Sequence, residues 1–171
     1  MISISIQSQD FEHAAEYEAL RHCSENNTAK SNCENKSDTE HRNSSKNGAI
    51  VTFTGLVRDY NVKDDVSGLC IEHYEGMTEK AIENICHEAE SRWLLGQIRI
   101  IHRIGNLSAA EQIVFVGITS AHRKDAFEAA QFIMDYLKQS VPLWKKEFTS
   151  NGEEWVEAKH SDAESFQRWF K

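Results

Sequence analysis

His122 and Arg123 stand side by side between an apolar run and a stretch of helical spacing, in the string GITSAHRKDAFEAA. Unpaired backbone N–H groups and the positive end of the dipole favour an anion at a helix start. A guanidinium adds two parallel hydrogen bonds to a phosphate or carboxylate, so the pair reads as an anion site. A solvated His and Arg beside Asp125 is the plainer alternative. Arg58 closes an earlier apolar run. Lys138, Lys145 and Lys146 gather around the far end of the same helix, with Lys159 beyond. Lys138 lies one turn past Met134, on or beside an apolar stripe. Desolvation there and the two neighbouring lysines would favour a neutral amine, fit for acid, base or nucleophilic work. A cation that stabilises the helix C-terminus accounts for the same position. Arg123 and Lys138 are fifteen residues apart, so one helix holds them roughly 22 Å from each other. Either they serve different ligands, or a two-fold dimer brings one chain's His122–Arg123 to the other's Lys138.

These groups need elements to carry them. AIVTFTGLV alternates, with Val51, Phe53 and Val57 on one face and Thr52 and Thr54 on the other, and reads as a strand. A polar loop, DYNVKDDVSG, leads to a second strand, LCIEHY. Thr78 caps a helix whose Ala81, Ile82, Ile85, Ala89 and Trp93 share a stripe, ending at Gly96. Ile98, Ile100, His102 and Ile104 alternate in a third strand. After the loop GNLSAAEQ, IVFVGI is apolar on both faces and reads as a central strand. Ser120 caps a second helix bearing Phe127, Ala130, Met134, Leu137 and Val141, and Pro142 stops it. WKKEF and EEWVEA flank an Asn151-Gly152 turn, a hairpin signal. Ser161 and Glu164 have capping-box spacing for a tail helix with Phe166, Trp169 and Phe170. The order predicts an α+β fold: a largely antiparallel sheet, two main helices and a C-terminal β-hairpin.

Ahead of this domain, residues 1–22 predict a strand (Ile2, Ile4, Ile6) and a helix from Phe11 to Leu20. Residues 23–47 are polar and nearly free of large apolar side chains, which predicts a mobile insertion before the main domain at 48–171. Cys23, Cys33, Cys70 and Cys86 form no C-x-x-C pair. A zinc set of His22, Cys23, Cys33 and His41 can be drawn, but its spacings match no finger or ribbon, so reduced thiols and no metal are expected. The net charge of -8 argues against a general nucleic-acid binder and favours a small anionic ligand in any local cationic pocket. No apolar run approaches the roughly 20 residues of a membrane span, and the N-terminus lacks a signal-peptide pattern, which predicts a cytoplasmic protein.

Read together, GAIVTFTGLVR, IEHYEGMTEKA, IHRIGNL, IVFVGITSAHR, AFEAAQFIMDYLK and PLWKKE resemble the large subunit of molybdopterin synthase, the MoaE family. The series runs in order over roughly Gly48 to Asp162. The resemblance implies an α/β-hammerhead fold and a homodimer at the centre of a heterotetramer. Each large subunit would bind a small ubiquitin-like sulfur carrier whose Gly-Gly tail ends in a thiocarboxylate. The implied reaction moves two sulfurs into cyclic pyranopterin monophosphate, forming the dithiolene of molybdopterin, with no metal or dissociable cofactor.

Carried over residue by residue, the family's substrate contacts fall on Leu56, Val57, Arg58, His122, Arg123, Lys138, Lys145, Lys146 and Glu147. The resemblance implies that Arg58, His122 and Arg123 hold the phosphate and the incoming tail. Lys138 would act at the thiocarboxylate carbonyl or at the pterin carbon, and Lys145 would stabilise developing negative charge. Leu56 stands where many members carry a basic residue, and Lys146 where arginine is common; a lysine does not reproduce the arginine fork. A non-catalytic scaffold that only docks the carrier is the alternative.

Overall fold

Alternating β-branched runs and helical apolar stripes set the element order. The computed structural model describes residues 1–22, 47–58, 66–149, 152–156 and 165–170. Its elements are β1 (Ile2–Gln7), α1 (His13–Arg21), β2 (Ala49–Leu56), β3 (Val66–His73), α2 (Met77–Arg92), β4 (Leu95–Arg103), β5 (Gly105–Ser108), β6 (Gln112–Ser120), α3 (Arg123–Gln139), β7 (Leu143–Thr149) and β8 (Gly152–Trp155). A short 3-10 turn, Arg168–Phe170, ends the described tail.

The strands form two four-stranded sheets, ordered β1-β4-β6-β2 and β5-β3-β7-β8. Only β1 against β4 is parallel among these pairings; the rest are antiparallel. The fold is α+β and largely antiparallel, as expected, but the strands divide between two sheets. GNLS, read from sequence as loop, is β5 and pairs with β3. Its four residues carry one buried apolar side chain, Leu107, too short a pattern to stand out.

The first sheet is covered on both faces. Val114, Val116 and Ile118 of β6 belong to the main core with Ile82, Ile85 and Ala89 of α2 and Ala129, Phe132 and Ile133 of α3. Phe115 turns the other way, against Phe11 and Leu20 around α1. This double cover is why the central strand is apolar on both faces. A Cβ at Gly117 would overlap the Leu20 side-chain end and lie 2.8 Å from the Phe115 ring, so a larger residue there would displace the side chains that seat α1 on the sheet.

The predicted helix boundaries shift. Gly76, at φ 78, is the N-cap of α2, and its N–H donates to the Glu79 carboxylate at 2.7 Å. Thr78 lies inside the first turn. The helix stops at Arg92, with Trp93 extended, instead of reaching Gly96. Ser120 ends β6, and His122 is the N-cap of α3. The Ser120 hydroxyl still accepts the His122 N–H at 3.3 Å. Phe127 and Phe53 were assigned to apolar faces, yet they are 62% and 42% exposed. The buried stripe of α3 centres on Ala126, Ala129, Ala130, Ile133 and Leu137, and Phe127 lies off it. Phe53 belongs to β2, the sheet's edge.

Two ends of the molecule follow from this topology. β2 runs antiparallel to β6, with Ala49 opposite Ser120 and Leu56 opposite Gln112. Only Ala121 and His122 separate β6 from α3, which packs on β6 and β2. So α3 runs back along the sheet, from the Ser120 end to the Gln112 end, over about 24 Å. α2 lies antiparallel to it. Trp93 Nε1 donates to Glu128 at 3.0 Å near the start of α3, and Thr78 Oγ1 lies 3.2 Å from the Pro142 carbonyl oxygen just past its end.

Candidate functional site

At the Gln112 end the chain gathers Leu56, Val57 and Arg58 from the close of β2, Lys138 from the last turn of α3, and β7 just beyond. β2 ends at Leu56, where a register shift interrupts its ladder with β6. Val57 is buried, but its N–H donates to the Glu111 carbonyl at 2.9 Å and its own carbonyl accepts from Ala110 N–H at 2.8 Å. These bonds anchor the turn on which Leu56 and Arg58 face solvent. Of the three, Leu56 and Arg58 are open to a ligand, and Val57 is packing.

Lys138 is exposed. The desolvation expected from its place near the apolar stripe is not supplied by this chain, because the stripe passes through Ile133, Tyr136 and Leu137 and leaves Lys138 outside. Nor do the three lysines form one cluster. Successive residues of a strand point to opposite faces, so Lys145 and Lys146 part ways. Lys146 sits opposite Cys70, stacks over the Trp155 ring at 4.6 Å and pairs with Glu153 at 3.2 Å on the outer side. Lys145 and Glu147 sit opposite Ile71 and Leu69, on the face that packs into the core. Lys145 is half-buried there.

A group that sequence reading passed over stands near Lys145. His102 of β4 is buried, and its pKa is lowered to about 4, first by burial and then by the Lys145 charge. Its Nδ1 lies 2.8 Å from the Arg103 carbonyl oxygen. A carbonyl only accepts, so Nδ1 carries the hydrogen and the neutral ring offers Nε2 as an acceptor. His73, at the end of β3, also acts on His102 electrostatically. The available signal was a histidine at a core-facing position in an apolar alternation.

His122 and Arg123 lie at the opposite end, both exposed. The expected separation from Lys138 holds, and within one chain Arg58, just past the close of β2, lies toward the Lys138 end of α3. Among the described residues no set of three or more His, Cys, Asp or Glu is placed to hold a metal ion. Cys23, Cys33 and His41 of the zinc set, the span 23–46 of the polar segment, and Lys159, Ser161 and Glu164 lie outside the described residues. Cys70 and Cys86 are free thiols, and burial pushes Cys86 up to about 12.

The chain is an α+β domain with exposed cationic side chains toward both ends of one helix. The comparisons narrow that class. The family model described as MoaE protein matches residues 27–140. A molybdopterin synthase catalytic subunit of Escherichia coli is 57% identical over 124 residues, 72% of this chain and 83% of that protein. Its counterpart in Vibrio cholerae is 46% identical over 97% of both chains. The solved structure of a molybdopterin biosynthesis MoaE protein from Burkholderia ambifaria superposes with a TM-score of 0.75 at 41% identity, covering 100% of this chain and 99% of that one. The chain belongs to the MoaE family. The family model begins earlier and stops sooner than the motif series from Gly48 to Asp162, and the Vibrio match spans nearly the whole chain.

Proposed function

We propose that this chain is the catalytic subunit of a molybdopterin synthase. It transfers sulfur from the C-terminal thiocarboxylate of a small ubiquitin-like carrier to cyclic pyranopterin monophosphate, giving the dithiolene. Each transfer forms a bond from the thiocarboxylate sulfur to a substrate carbon as a carbon–oxygen bond at that carbon breaks, the oxygen leaving as water or on the phosphate. Water then cleaves the acyl–sulfur bond, leaving sulfur on the substrate and a carboxylate on the carrier. The observation that carries this reading is the chain's likeness to molybdopterin synthase catalytic subunits, supported by a topology in which the close of β2, with Leu56 and Arg58, and the last turn of α3, with Lys138, lie toward the same end of the first sheet. An exposed Lys138 is open to the tip of an extended tail. The carrier and substrate themselves supply the desolvation this chain lacks, and a lysine so enclosed can donate or accept a proton at the reacting carbonyl. Lys145, half-buried, is suited to stabilising negative charge as it develops.

In this reading His122 and Arg123 grip phosphate or the tail from a second copy of the chain, and two copies with two carriers make the heterotetramer. The reaction calls on no metal or dissociable cofactor. A cytoplasmic setting goes with it; no helix among the described residues is long and apolar enough to cross a membrane. The test is to mix the protein with thiocarboxylated carrier and cyclic pyranopterin monophosphate and to measure dithiolene product. The native chain forms product, and Lys138→Ala lowers turnover by about 100-fold or more. Near-normal transfer by Lys138→Ala would remove that lysine from the mechanism. Tight carrier binding without any product from the native chain would leave only the scaffold reading.

A further inference from the structure

The two histidines beside Lys145 belong to no role assigned above, and their placement is set by backbone register. In the second sheet Gly105, Ile71 and Lys145 stand in one row across β5, β3 and β7. With strands about 4.8 Å apart, Lys145 lies about 10 Å from the point where the chain enters that sheet. His102 is three residues before Gly105, at the corner where β4 of the first sheet hands over to β5. His73 pairs with Leu143, two residues from the Ile71–Lys145 pair. It therefore shares the inner face with Lys145 as its diagonal neighbour, about 7–8 Å away along the backbone and within reach of a lysine side chain. The His73 Nδ1 is buried and has no hydrogen-bond partner. A buried polar atom left unpaired is costly, so this nitrogen has capacity for a partner that arrives, and in the tautomer protonated at Nε2 it accepts.

We propose that His73 is a positioning residue for Lys145: its Nδ1 accepts a hydrogen bond from the Lys145 ammonium when substrate fills the site, and the buried His102 ring backs that corner. The inference rests on the assignment of Lys145 to the active site. The groups acting on His102 at the corner are Lys145 from β7, His73 from β3 and the Arg103 carbonyl from β4; Glu147, opposite Leu69, shares the inner face on the far side of Lys145 from His73. A neutral His102 adds no second fixed positive charge behind the lysine, and its Nδ1 bond holds the ring in place.

Two measurements test this. The first follows ring nitrogens by NMR in histidine-labelled protein, comparing the native chain with Lys145→Met, each saturated with cyclic pyranopterin monophosphate in the absence of carrier, and needs no turnover. Loss of the lysine charge is expected to raise the His102 titration midpoint and to move the His73 ring resonances. An unchanged His73 ring signal would overturn the contact. The second compares His73→Leu and His73→Asn in dithiolene formation. His73→Leu is expected to lower kcat by about tenfold with KM for the carrier nearly unchanged, the size of effect that misplacement of a catalytic group produces. Asparagine, which can present an acceptor near the Nδ1 position, recovers most of the loss. An equal loss in both variants, tracking a fall in Tm, would make His73 merely structural and overturn the proposal. Full turnover by Lys145→Met would instead overturn the assignment of Lys145, leaving the NMR titration to decide the contact by itself.

Discussion

His102 carries a titration that reaches beyond the site. Burial and the Lys145 charge lower its pKa from 6.5 to about 4. Between those two values the unfolded chain binds a proton that the folded chain refuses, so folding stability falls as the pH falls through that window. Above pH 6.5 the ring is neutral in both states and contributes nothing to the slope. The steepest dependence from one such group is about 1.4 kcal/mol per pH unit. Chemical denaturation of the native chain between pH 7 and about 4 is expected to lose stability on this account, and His102→Gln to flatten the profile by up to that slope. Equal slopes in the two proteins would mean that the ring already titrates freely in the folded state.

The tail segment shows how far an element can be read before its partners are known. Phe166 and Trp169 were legible as apolar positions of a short tail, but their destination was not. Trp169 packs edge-on to Trp93 at 5.9 Å and Phe132 at 5.2 Å, and its Nε1 donates to Asp135 at 2.8 Å. Arg92 donates back to the Trp169 carbonyl at 3.2 Å. The tail thereby ties the end of α2 to the middle of α3. Trp169→Ala is expected to cost about 2 kcal/mol, less than for a fully enclosed tryptophan, and Trp169→Phe less again, since it gives up chiefly the hydrogen bond. Urea unfolding measures both, and a tail that contributes nothing would leave the midpoint unmoved. β6, α2 and α3 were legible for a different reason: each buries a complete face or stripe, so its periodicity is a direct record of its cover. β5 was not, because four residues opposite β3 gain their strand character from pairing rather than from pattern. Phe53 and Phe127 misled because an aromatic at a sheet edge, or just off a helix's buried stripe, looks the same in sequence as one in a core. Lys145 and Lys146 looked like one cationic cluster, and only the pleat of β7 separates them.

At the scale of the whole molecule, the decisive quantity is the length of α3. It sets His122 and Arg123 at one end of the fold, and Lys138, Arg58 and Lys145 at the other. That separation followed from sequence spacing alone, and the antiparallel run of α3 along β6 and β2 adds which other residues share each end. A substrate small enough to sit on Lys138 cannot reach Arg123 of the same chain. A two-fold axis that lays α3 antiparallel to its copy would bring unlike ends together twice, once at each of two equivalent sites. Complementation tests this arrangement. Lys138→Ala and Arg123→Ala homodimers each carry two defective sites and are expected to be nearly inactive. If equal amounts are mixed and allowed to exchange subunits, half the dimers are mixed. In each of these, one site has lost both groups and the other keeps both, so activity should return to about a quarter of the native level. The recovery should appear at the rate of subunit exchange and vanish when the chains are crosslinked before mixing. A site built within one chain predicts no recovery at any mixing ratio, because every chain then carries one lesion in its own site.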